Sequence, residues 1–302
     1  MITQAPELQM QVGGISQTGG RPNNEDAILV EETAAGPDLP NGGWVLAVAD
    51  GMGGHADGEV ASSLAIQTLK DAFADSSQPD AALALKQAYR RANEAIYAAG
   101  TTPDARPGTT LVSAVVRGKY VTIANVGDSR AYLMRANQMT QITQDHSVVA
   151  EQVAAGALTE GEDRNSPVKN QLTAALGTQE KLEKRLPAIY ELVLLPEDRL
   201  LLCSDGFYDV LKNEDYLRLM SGEDAQSSAV ALTDLATQRK TTDNVSAVVL
   251  SVGSSVASMQ RAEISRDLAE HRAEHGTSIM VPVIILVVIT ALVAAGVWFW
   301  MF

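Results

Sequence analysis

Four apolar runs joined by very short connections constrain the fold of this chain more than any other feature. The runs are Leu111–Val116, Tyr120–Val126, Ala131–Met134 and Met139–Ile142, and only three or four residues separate each run from the next. Connections of that length permit hairpins but are too short for the helix that joins parallel strands. We therefore expect an antiparallel meander here, and a simple doubly wound parallel fold is excluded.

Further strands and helices are predicted on both sides of this segment. Strand-like runs occur at Trp44–Ala49, Ile189–Leu195, Leu200–Cys203 and Val245–Val252. Helical patterns with apolar residues on one face occur at Gly58–Phe73 and Pro79–Ala99, with weaker ones at Val148–Ala155 and Asp224–Thr237. Antiparallel strands combined with long helices predict an α+β domain whose sheets are covered by helices.

The charge and composition of the chain limit its function classes. Hydrophobic residues make up 46% of its 302 residues, which is typical of a folded globular protein. Its 23 Lys and Arg against 37 Asp and Glu give a net charge of -14, so a nucleic-acid partner is not expected. Cys203 is the only cysteine, which rules out an internal disulfide and a cysteine-ligated zinc scaffold and fits a reducing compartment. The four histidines leave a mixed metal site open.

An uncharged apolar run of 24 residues, Ile279–Phe302, predicts a transmembrane helix. As a helix it would be about 36 Å long, enough to cross the ~30 Å hydrocarbon layer of a membrane. Trp298 and Trp300 suit the interface at its far end. A buried core helix is the alternative, but such a helix seldom lacks polar residues on every face.

Positive charges before this run predict how it is oriented in the membrane. The arginines on its N-terminal side are Arg261, Arg266 and Arg272. Lys and Arg near a span favour the cytoplasmic side, and nothing in the first ten residues resembles a secretory signal. We therefore expect a single-pass protein of the cell membrane, with a cytoplasmic domain at residues 1–252, a solvated stalk at 253–278 and the span at 279–302.

Acidic residues lie next to several of the predicted strands. Asp50 follows one apolar strand and Asp205 follows another, and each precedes a glycine; the other acids in such positions are Asp26, Asp128 and Asp243. A carboxylate beside a buried strand is costly to desolvate unless it is paired or binds a cation. Taken singly, each of these acids is explained by an ordinary turn. Together, they favour oxygen ligation of Mg²⁺ or Mn²⁺ over a zinc or copper site.

Seven short motifs carry a family resemblance. They are RPNNED at Arg21–Asp26, VADGMGGH at Val48–His55, GTT at Gly108–Thr110, NVGDSR at Asn125–Arg130, DHS at Asp145–Ser147, CSDGFYDV at Cys203–Val210 and TDNVS at Thr242–Ser246. In this order they resemble the motifs of the metal-dependent serine/threonine protein phosphatases of type 2C, and the Met-Gly-Gly-His spelling is similar to the bacterial branch. The resemblance implies a four-layer αββα sandwich, in which two packed antiparallel sheets are flanked by helices.

The resemblance also implies a pair of Mn²⁺ or Mg²⁺ ions that share one bridging carboxylate. Asp50 matches that carboxylate, and the carbonyl of Gly51 would complete the shell of one ion. Asp205 and Asp243 would hold the other ion. A water between the two ions would attack the phosphorus, so that no protein nucleophile is needed.

Three further residues have roles that the resemblance implies. Arg21 matches the residue that binds the substrate phosphate, a task that suits the guanidinium fork. From the residues alone, a surface ion pair between Arg21 and Glu25 is the alternative. Glu25 and Asp26 match acids that orient metal-bound waters.

The third metal site and the general acid are matched less fully. Asp128 matches a ligand of a third, weaker metal site, together with Asp205 and Asp209. Where animal members have a histidine after Asp-Gly, this chain has Met52, as bacterial members do. His55 cannot simply take over the role of general acid, although a metal-bound water could supply the proton. The general acid is therefore unassigned.

The function implied by these matches is that of a metal-dependent protein phosphatase tethered to the membrane. It would hydrolyse phosphoserine and phosphothreonine in signalling proteins that a serine/threonine kinase phosphorylates. The polar segment Thr159–Asn170, where bacterial members carry a mobile flap, could contact such substrates or be a plain surface connection. The alternative function is a catalytically silent, phosphoprotein-binding regulatory module of the same fold. A two-metal phosphodiesterase or nuclease is disfavoured by the acidic charge.

Overall fold

The structure of the protein is a computed structural model that describes residues 8–33, 42–53, 56–74, 79–100, 106–158, 166–222 and 224–253. Its strands are β1 (Met10–Gln17), β2 (Asp26–Thr33), β3 (Gly43–Met52), β4 (Gly108–Thr109), β5 (Leu111–Arg117), β6 (Tyr120–Val126), β7 (Arg130–Arg135), β8 (Gln138–Gln141), β9 (Ala188–Val193), β10 (Arg199–Cys203) and β11 (Val245–Val252). Its helices are α1 (Ala56–Ala74), α2 (Ala81–Ala99), α3 (Val148–Ala154), α4 (Asn213–Met220) and α5 (Ala225–Gln238).

The strands form two antiparallel sheets that pack against each other. The first sheet has the strand order β1-β11-β10-β7-β8, and the second has the order β2-β3-β5-β6-β9, with β4 paired to β3. Helices α1 and α2 cover the outer face of the second sheet, and α4 and α5 cover the outer face of the first. The α+β prediction of two antiparallel sheets flanked by helices is therefore confirmed.

The central strands are buried on both faces. In β3, Val45, Ala47 and Ala49 pack beneath α1 and α2, whereas Leu46 and Val48 face the core between the sheets. Strand β11 is divided in the same way between the inter-sheet core and the layer of α4 and α5. Side chains that alternate between two buried faces produce an uninterrupted apolar run. These uninterrupted runs are the reason that the sequence predicts these strands.

The predicted meander is wrong as a single sheet. Its four runs form two hairpins, β5–β6 in the second sheet and β7–β8 in the first. The connection between the hairpins crosses from one sheet to the other at Gly127, whose φ is 101°. A Cβ at this position would lie 2.6 Å from Thr110 Cβ, so only glycine fits. Connection length alone does not distinguish a hairpin from a step between packed sheets, but it correctly excludes a parallel fold.

Four elements were not predicted from the sequence: β1, β2, the two-residue β4 and α4. Strand β1 contains Gly13 and Gly14, which weaken a strand pattern. A Cβ at Gly13 would lie 2.3 Å from Gln226 Cα, so this glycine lets α5 approach the sheet closely. Strand β2 has an apolar run of only four residues, Ala27–Val30, and α4 has eight residues in all. Segments this short carry little periodicity.

Several predictions lie outside the described residues and stay predictions. They concern the span at 279–302, nearly all of the stalk at 253–278, His55, and residues 159–165 of the polar segment. In the part of the chain that the structure does describe, no helix has both the length and the apolar character needed to cross a membrane.

Candidate metal centre

The site residues predicted from the sequence come together at one end of the sandwich. A cavity of about 890 Å³ is lined by Arg21, Glu25, Asp50, Gly51, Asp128, Asp205 and Asp243. They arrive from the loop between β1 and β2, the end of β3, the β6–β7 connection, the loop after β10 and the residues just before β11. Asp26, the remaining predicted residue, is opposite Asp50 in the β2–β3 pair. The fold thus brings together acids that are distant in the sequence.

Asp50 is held in place through its backbone. Its amide N–H donates to Thr110 Oγ1 over 3.0 Å, and its carbonyl accepts from Thr109 Oγ1 and from the amide of Thr110, each over 2.9 Å. Thr110 Oγ1 also lies 2.6 Å from Ser129 Oγ. The Gly-Thr-Thr motif therefore fixes the position of the Asp50 backbone and leaves its carboxylate to face the cavity.

Gly51 lies where no larger residue fits. A Cβ on Gly51 would lie 2.1 Å from the carbonyl oxygen of Gly58 and 2.5 Å from that of Glu25. The first turn of α1 also packs closely on the Glu25 side chain, since a Cβ on Gly58 would lie 2.6 Å from Glu25 Oε2. Both glycines allow the end of β3, the start of α1 and the Glu25 side chain to pack within contact distance.

Asp26 is buried behind Asp50. Its Oδ2 accepts hydrogen bonds from Ser204 Oγ over 2.8 Å and from Ser246 Oγ over 2.6 Å. Burial nevertheless raises the pKa of Asp26 to about 6, because desolvation outweighs the two hydrogen bonds. Asp26 thus connects the end of β10 and the start of β11 to the carboxylate that was predicted to bridge two ions.

The carboxylates of the cavity destabilise one another when they are ionised. Burial, followed by repulsion from neighbouring carboxylates, raises the pKa of Asp50 well above its usual value. The same two causes act on Asp205, which also has a buried Oδ1 with no hydrogen-bond partner in the described ranges. Burial, together with repulsion from Asp145, raises the pKa of Asp128 to about 6. Within the described residues, no lysine or arginine forms an ion pair with these three acids, so no counter-ion of the protein offsets their burial.

Arg21 pairs with Asp243 rather than with Glu25. Its Nη2 lies 2.7 Å from Asp243 Oδ2, and its Nε donates to the carbonyl of Thr242 over 3.1 Å. The side chain of Arg21 is 52% exposed and that of Asp243 is 26% exposed. The ion pair with Glu25 considered as an alternative is therefore not formed, and Arg21 pairs instead with one of the predicted metal ligands.

Sequence reasoning missed the residues that support Asp128. Tyr208 donates a hydrogen bond to Asp128 Oδ2 over 3.1 Å, and the Arg130 guanidinium lies 3.5 Å above the Tyr208 ring. Arg130 in turn donates to both oxygens of Asp145 over 2.6 to 3.0 Å. All four belong to the quoted motifs, but their contacts join segments too far apart for spacing to reveal. Asp209, named with the third metal site, instead pairs with Lys169 over 2.7 Å.

Asn244 was also missed as a positioning residue. Its Oδ1 accepts from the backbone amide of Glu25 over 2.9 Å, and its Nδ2 donates to the carbonyls of Thr18 and Asn23 over 2.9 and 2.8 Å. One side chain therefore ties the loop that carries Arg21 and Glu25 to the start of β11. Its place directly after Asp243 in the sequence is the only signal that could have indicated this role.

The donor set suits hard divalent cations, although it is not arranged around an ion. Among the described residues, no group of three or more His, Cys, Asp or Glu side chains is placed to hold one metal ion. Asp243 Oδ2 is engaged by Arg21, so a cation at this carboxylate would compete with the guanidinium. Buried carboxylate oxygens are the ligands that Mg²⁺ and Mn²⁺ prefer, and two of them, Asp26 Oδ1 and Asp205 Oδ1, have no hydrogen-bond partner in the described ranges. The ligand roles of Asp50, Gly51, Asp205, Asp243 and Asp128 stay predictions.

Comparisons with known proteins indicate one family. Residues 10–245 match the family described as protein phosphatase 2C. The serine/threonine protein phosphatase PstP of Mycobacterium tuberculosis is 36% identical over 234 residues, which are 77% of this chain and 43% of that protein. This chain thus spans less than half the length of that relative. The serine/threonine phosphatase stp of Listeria welshimeri is 37% identical over 183 residues, covering 58% of this chain and 71% of the relative.

Solved structures share the fold. The serine/threonine phosphatase of S. agalactiae superposes with a TM-score of 0.73 at 30% identity, and the match covers 81% of this chain and 100% of that one. The catalytic domain of PstP, solved in complex with two manganese ions, gives a TM-score of 0.69 at 35% identity and covers 82% of this chain and 99% of that one.

Proposed function

The chain belongs to the protein phosphatase 2C family, and we propose that it hydrolyses phosphoserine and phosphothreonine in proteins with Mn²⁺ or Mg²⁺ as its cofactor. The observation that carries the proposal is the convergence of Asp50, Asp205 and Asp243 on one cavity with Arg21 at its edge. The solved relative with two manganese ions supports the choice of metal.

Four residues of this chain would hold the cations: Asp50 as the shared ligand, Gly51 through its carbonyl, and Asp205 and Asp243. When bound, divalent cations supply an activated water as the nucleophile and neutralise charge on the phosphoryl group. They would also offset the repulsion that raises the pKa values of Asp50 and Asp205. Asp128 would contribute to a third, weaker site.

The remaining residues bind and orient the substrate and the waters. Arg21 is more than half exposed at the cavity, so its guanidinium can bind two phosphoryl oxygens once Asp243 is engaged by a cation. Glu25 lies against the first turn of α1, and Asp26 is fixed by two serine hydroxyls. Both acids would accept hydrogen bonds from water molecules in the cavity and set their orientation. The proton donor for the leaving alkoxide is unassigned.

We further propose that the protein is tethered to the membrane through Ile279–Phe302, with the phosphatase domain in the cytoplasm. Support comes from the sequence: an uncharged run long enough to span a bilayer, preceded by arginines. Tethering would raise the effective concentration of the enzyme near membrane-bound kinases or their substrates. The full chain should stay in the membrane fraction after a carbonate wash, whereas a chain that ends at Gly253 should be soluble and active. Recovery of the full chain in the soluble fraction would contradict tethering.

The catalytic proposal is tested with Asp50→Asn. This variant should lose Mn²⁺-dependent release of phosphate from a phosphothreonine peptide, because the shared ligand loses its charge. Asp234→Asn is the matched control, since Asp234 is an exposed aspartate on α5 and its replacement should leave turnover unchanged. Near-normal turnover by Asp50→Asn would overturn the ligand assignment. A wild-type protein that binds phosphopeptides without hydrolysing them would instead favour the regulatory module.

A further inference from the structure

A second cavity of about 610 Å³ adjoins the candidate metal centre. The two cavities share Asp128 and Asn170 in their walls, so they are direct neighbours. The second cavity lies between α3, the loop after β10 and the Tyr190 side chain of β9. Of its lining residues, Asp128 and Asp209 have been considered above for a third cation site, whereas α3 and Tyr190 have no role assigned above.

The charged groups of the second cavity are already paired with one another. Arg130 donates to both oxygens of Asp145, with its Nη1 donating to Tyr132 Oη over 3.0 Å. Lys169 lies 2.7 Å from Asp209 Oδ2 at the rim. Each cation thus has an acidic partner, and both acids have a counter-ion. Apart from Asp128 at the boundary with the metal centre, the cavity therefore favours an uncharged group.

One wall of the second cavity is apolar and partly exposed. Helix α3 contributes Val149, Ala150, Val153 and Ala154 to this wall. Val149 is buried and anchors the helix, whereas Val153 is only half-buried and Ala154 is exposed. The helix is fixed at its start, where Ser147 Oγ accepts from the amide of Ala150 over 3.2 Å. The wall is thus an apolar surface beside the candidate metal centre.

We propose that the second cavity receives an uncharged, apolar side chain of the substrate polypeptide while the phosphorylated residue occupies the metal centre. This inference rests on the proposed phosphatase function and specifies its substrate class. Because an extended chain advances by about 3.3 Å per residue and the cavities share two wall residues, the apolar side chain belongs to a residue a few positions from the phosphorylated one. Leucine, valine and methionine have the chemistry that the α3 wall fits.

The experiment compares phosphothreonine peptides that carry either leucine or aspartate at each position near the phosphothreonine. The full chain should hydrolyse the best leucine peptide with a kcat/KM about tenfold higher than that of its aspartate counterpart, as expected for burial of one apolar side chain. Two variants, Val153→Asp and Ala154→Trp, should abolish this preference, the first by adding charge and the second by filling the cavity. Hydrolysis of p-nitrophenyl phosphate, which has no flanking residues, should be unchanged in both. The exposed residue Leu83 on α2 provides the control variant Leu83→Asp, which should keep the preference.

Equilibrium binding of the same peptides, labelled with a fluorophore, separates failure of this inference from failure of the proposed function. If the wild-type chain prefers no peptide in binding or in hydrolysis, or if both α3 variants keep the preference, the inference is wrong. If the wild-type chain hydrolyses neither peptides nor p-nitrophenyl phosphate in Mn²⁺, the proposed function is wrong. In that case the binding preference, and its loss in the two variants, still decides whether the second cavity takes an apolar side chain.

Discussion

The buried aspartates Asp145, Asp198 and Asp215, here called the paired acids, each lie against an arginine. Their Oδ2 atoms are 2.6 Å from Arg130, Arg135 and Arg239, respectively. The pKa of Asp215 is lowered by hydrogen bonds from the Arg239 side chain and from the backbone amide of Lys212. Each paired acid thus has a positive charge next to it, which makes it part of the packing.

The aspartates at the candidate metal centre, here called the cavity acids, differ in this respect. They are Asp26, Asp50, Asp128 and Asp205, and each has a raised pKa because of burial. Within the described ranges, no lysine or arginine forms an ion pair with any of them. Aspartate thus has a counter-ion in each of the paired acids and has none in any of these four cavity acids. A fold tolerates such a deficit where a bound cation offsets it.

The largest effect is expected from breaking a paired acid. Arg130→Met should lower the free energy of unfolding by about 3–5 kcal/mol, because Asp145 becomes a buried charge without a counter-ion. Urea unfolding at pH 7 measures the change. Arg218→Met is the control: Arg218 is 65% exposed and 3.6 Å from Asp215, so its loss should cost less than about 1 kcal/mol. If Arg130→Met were as stable as the wild-type protein, pairing would not be what stabilises Asp145.

Removing the charge of a cavity acid should instead raise the free energy of unfolding. In EDTA at pH 7, Asp50→Asn should raise the free energy of unfolding by about 1–2 kcal/mol, or Tm by roughly 2–8 °C, because repulsion among buried carboxylates is relieved. The same variant should lose the rise in Tm that Mn²⁺ gives the wild-type protein. Differential scanning calorimetry with and without Mn²⁺ measures both. If the Asp50→Asn variant were less stable than the wild-type protein in EDTA, repulsion among the cavity acids would not be what limits stability.

The pH dependence of stability should distinguish the paired acids from the cavity acids. The pKa values of Asp26 and Asp128 are raised from 3.8 to about 6. As the pH falls from about 6 towards 4, the folded state binds protons that the unfolded chain does not, so stability in EDTA should increase. His146, whose pKa is lowered by burial, opposes this in part. Asp215, with its lowered pKa, loses its contribution only below this window. Stability that falls steadily from pH 6 to pH 4 in EDTA would contradict the prediction.

The smallest effect is expected from replacing Arg21. Because Arg21 is paired with Asp243, it competes with a cation for that carboxylate. Arg21→Gln should therefore bind Mn²⁺ about two- to fivefold more tightly, as expected for loss of a partly exposed ion pair, while it binds inorganic phosphate more weakly. Isothermal titration calorimetry measures both affinities. Weaker Mn²⁺ binding by the variant would show that Arg21 does not compete for Asp243.

The sequence predicts the cavity acids better than it predicts what surrounds them. Asp50 lies near the end of β3 and Asp205 just after β10, both of them strands buried on two faces, and each acid precedes a glycine, so local pattern alone indicates them. Strand β11 was predicted with its observed bounds for the same reason. The partner of Arg21 was not predicted, because Asp243 is 222 residues away and the two meet only when β1 and β11 pair.

The connection between β6 and β7 shows a second limit. Its length and composition suit a hairpin turn, yet Gly127 carries the chain from one sheet to the other. Which of the two occurs depends on how the sheets pack, and no local residue pattern encodes it. The network of Arg130, Tyr208 and Asp145 depends on the same crossing.

The most direct test of the cavity acids is an anomalous-scattering map from crystals of the protein grown with Mn²⁺ and measured at the manganese edge. Two peaks are expected in the cavity, both within ligating distance of the Asp50 carboxylate, with Asp205 and Asp243 completing one of them and Arg21 turned away from Asp243. A map without manganese at Asp50, taken from protein that hydrolyses a phosphothreonine peptide under the same conditions, would contradict the cation role of these acids.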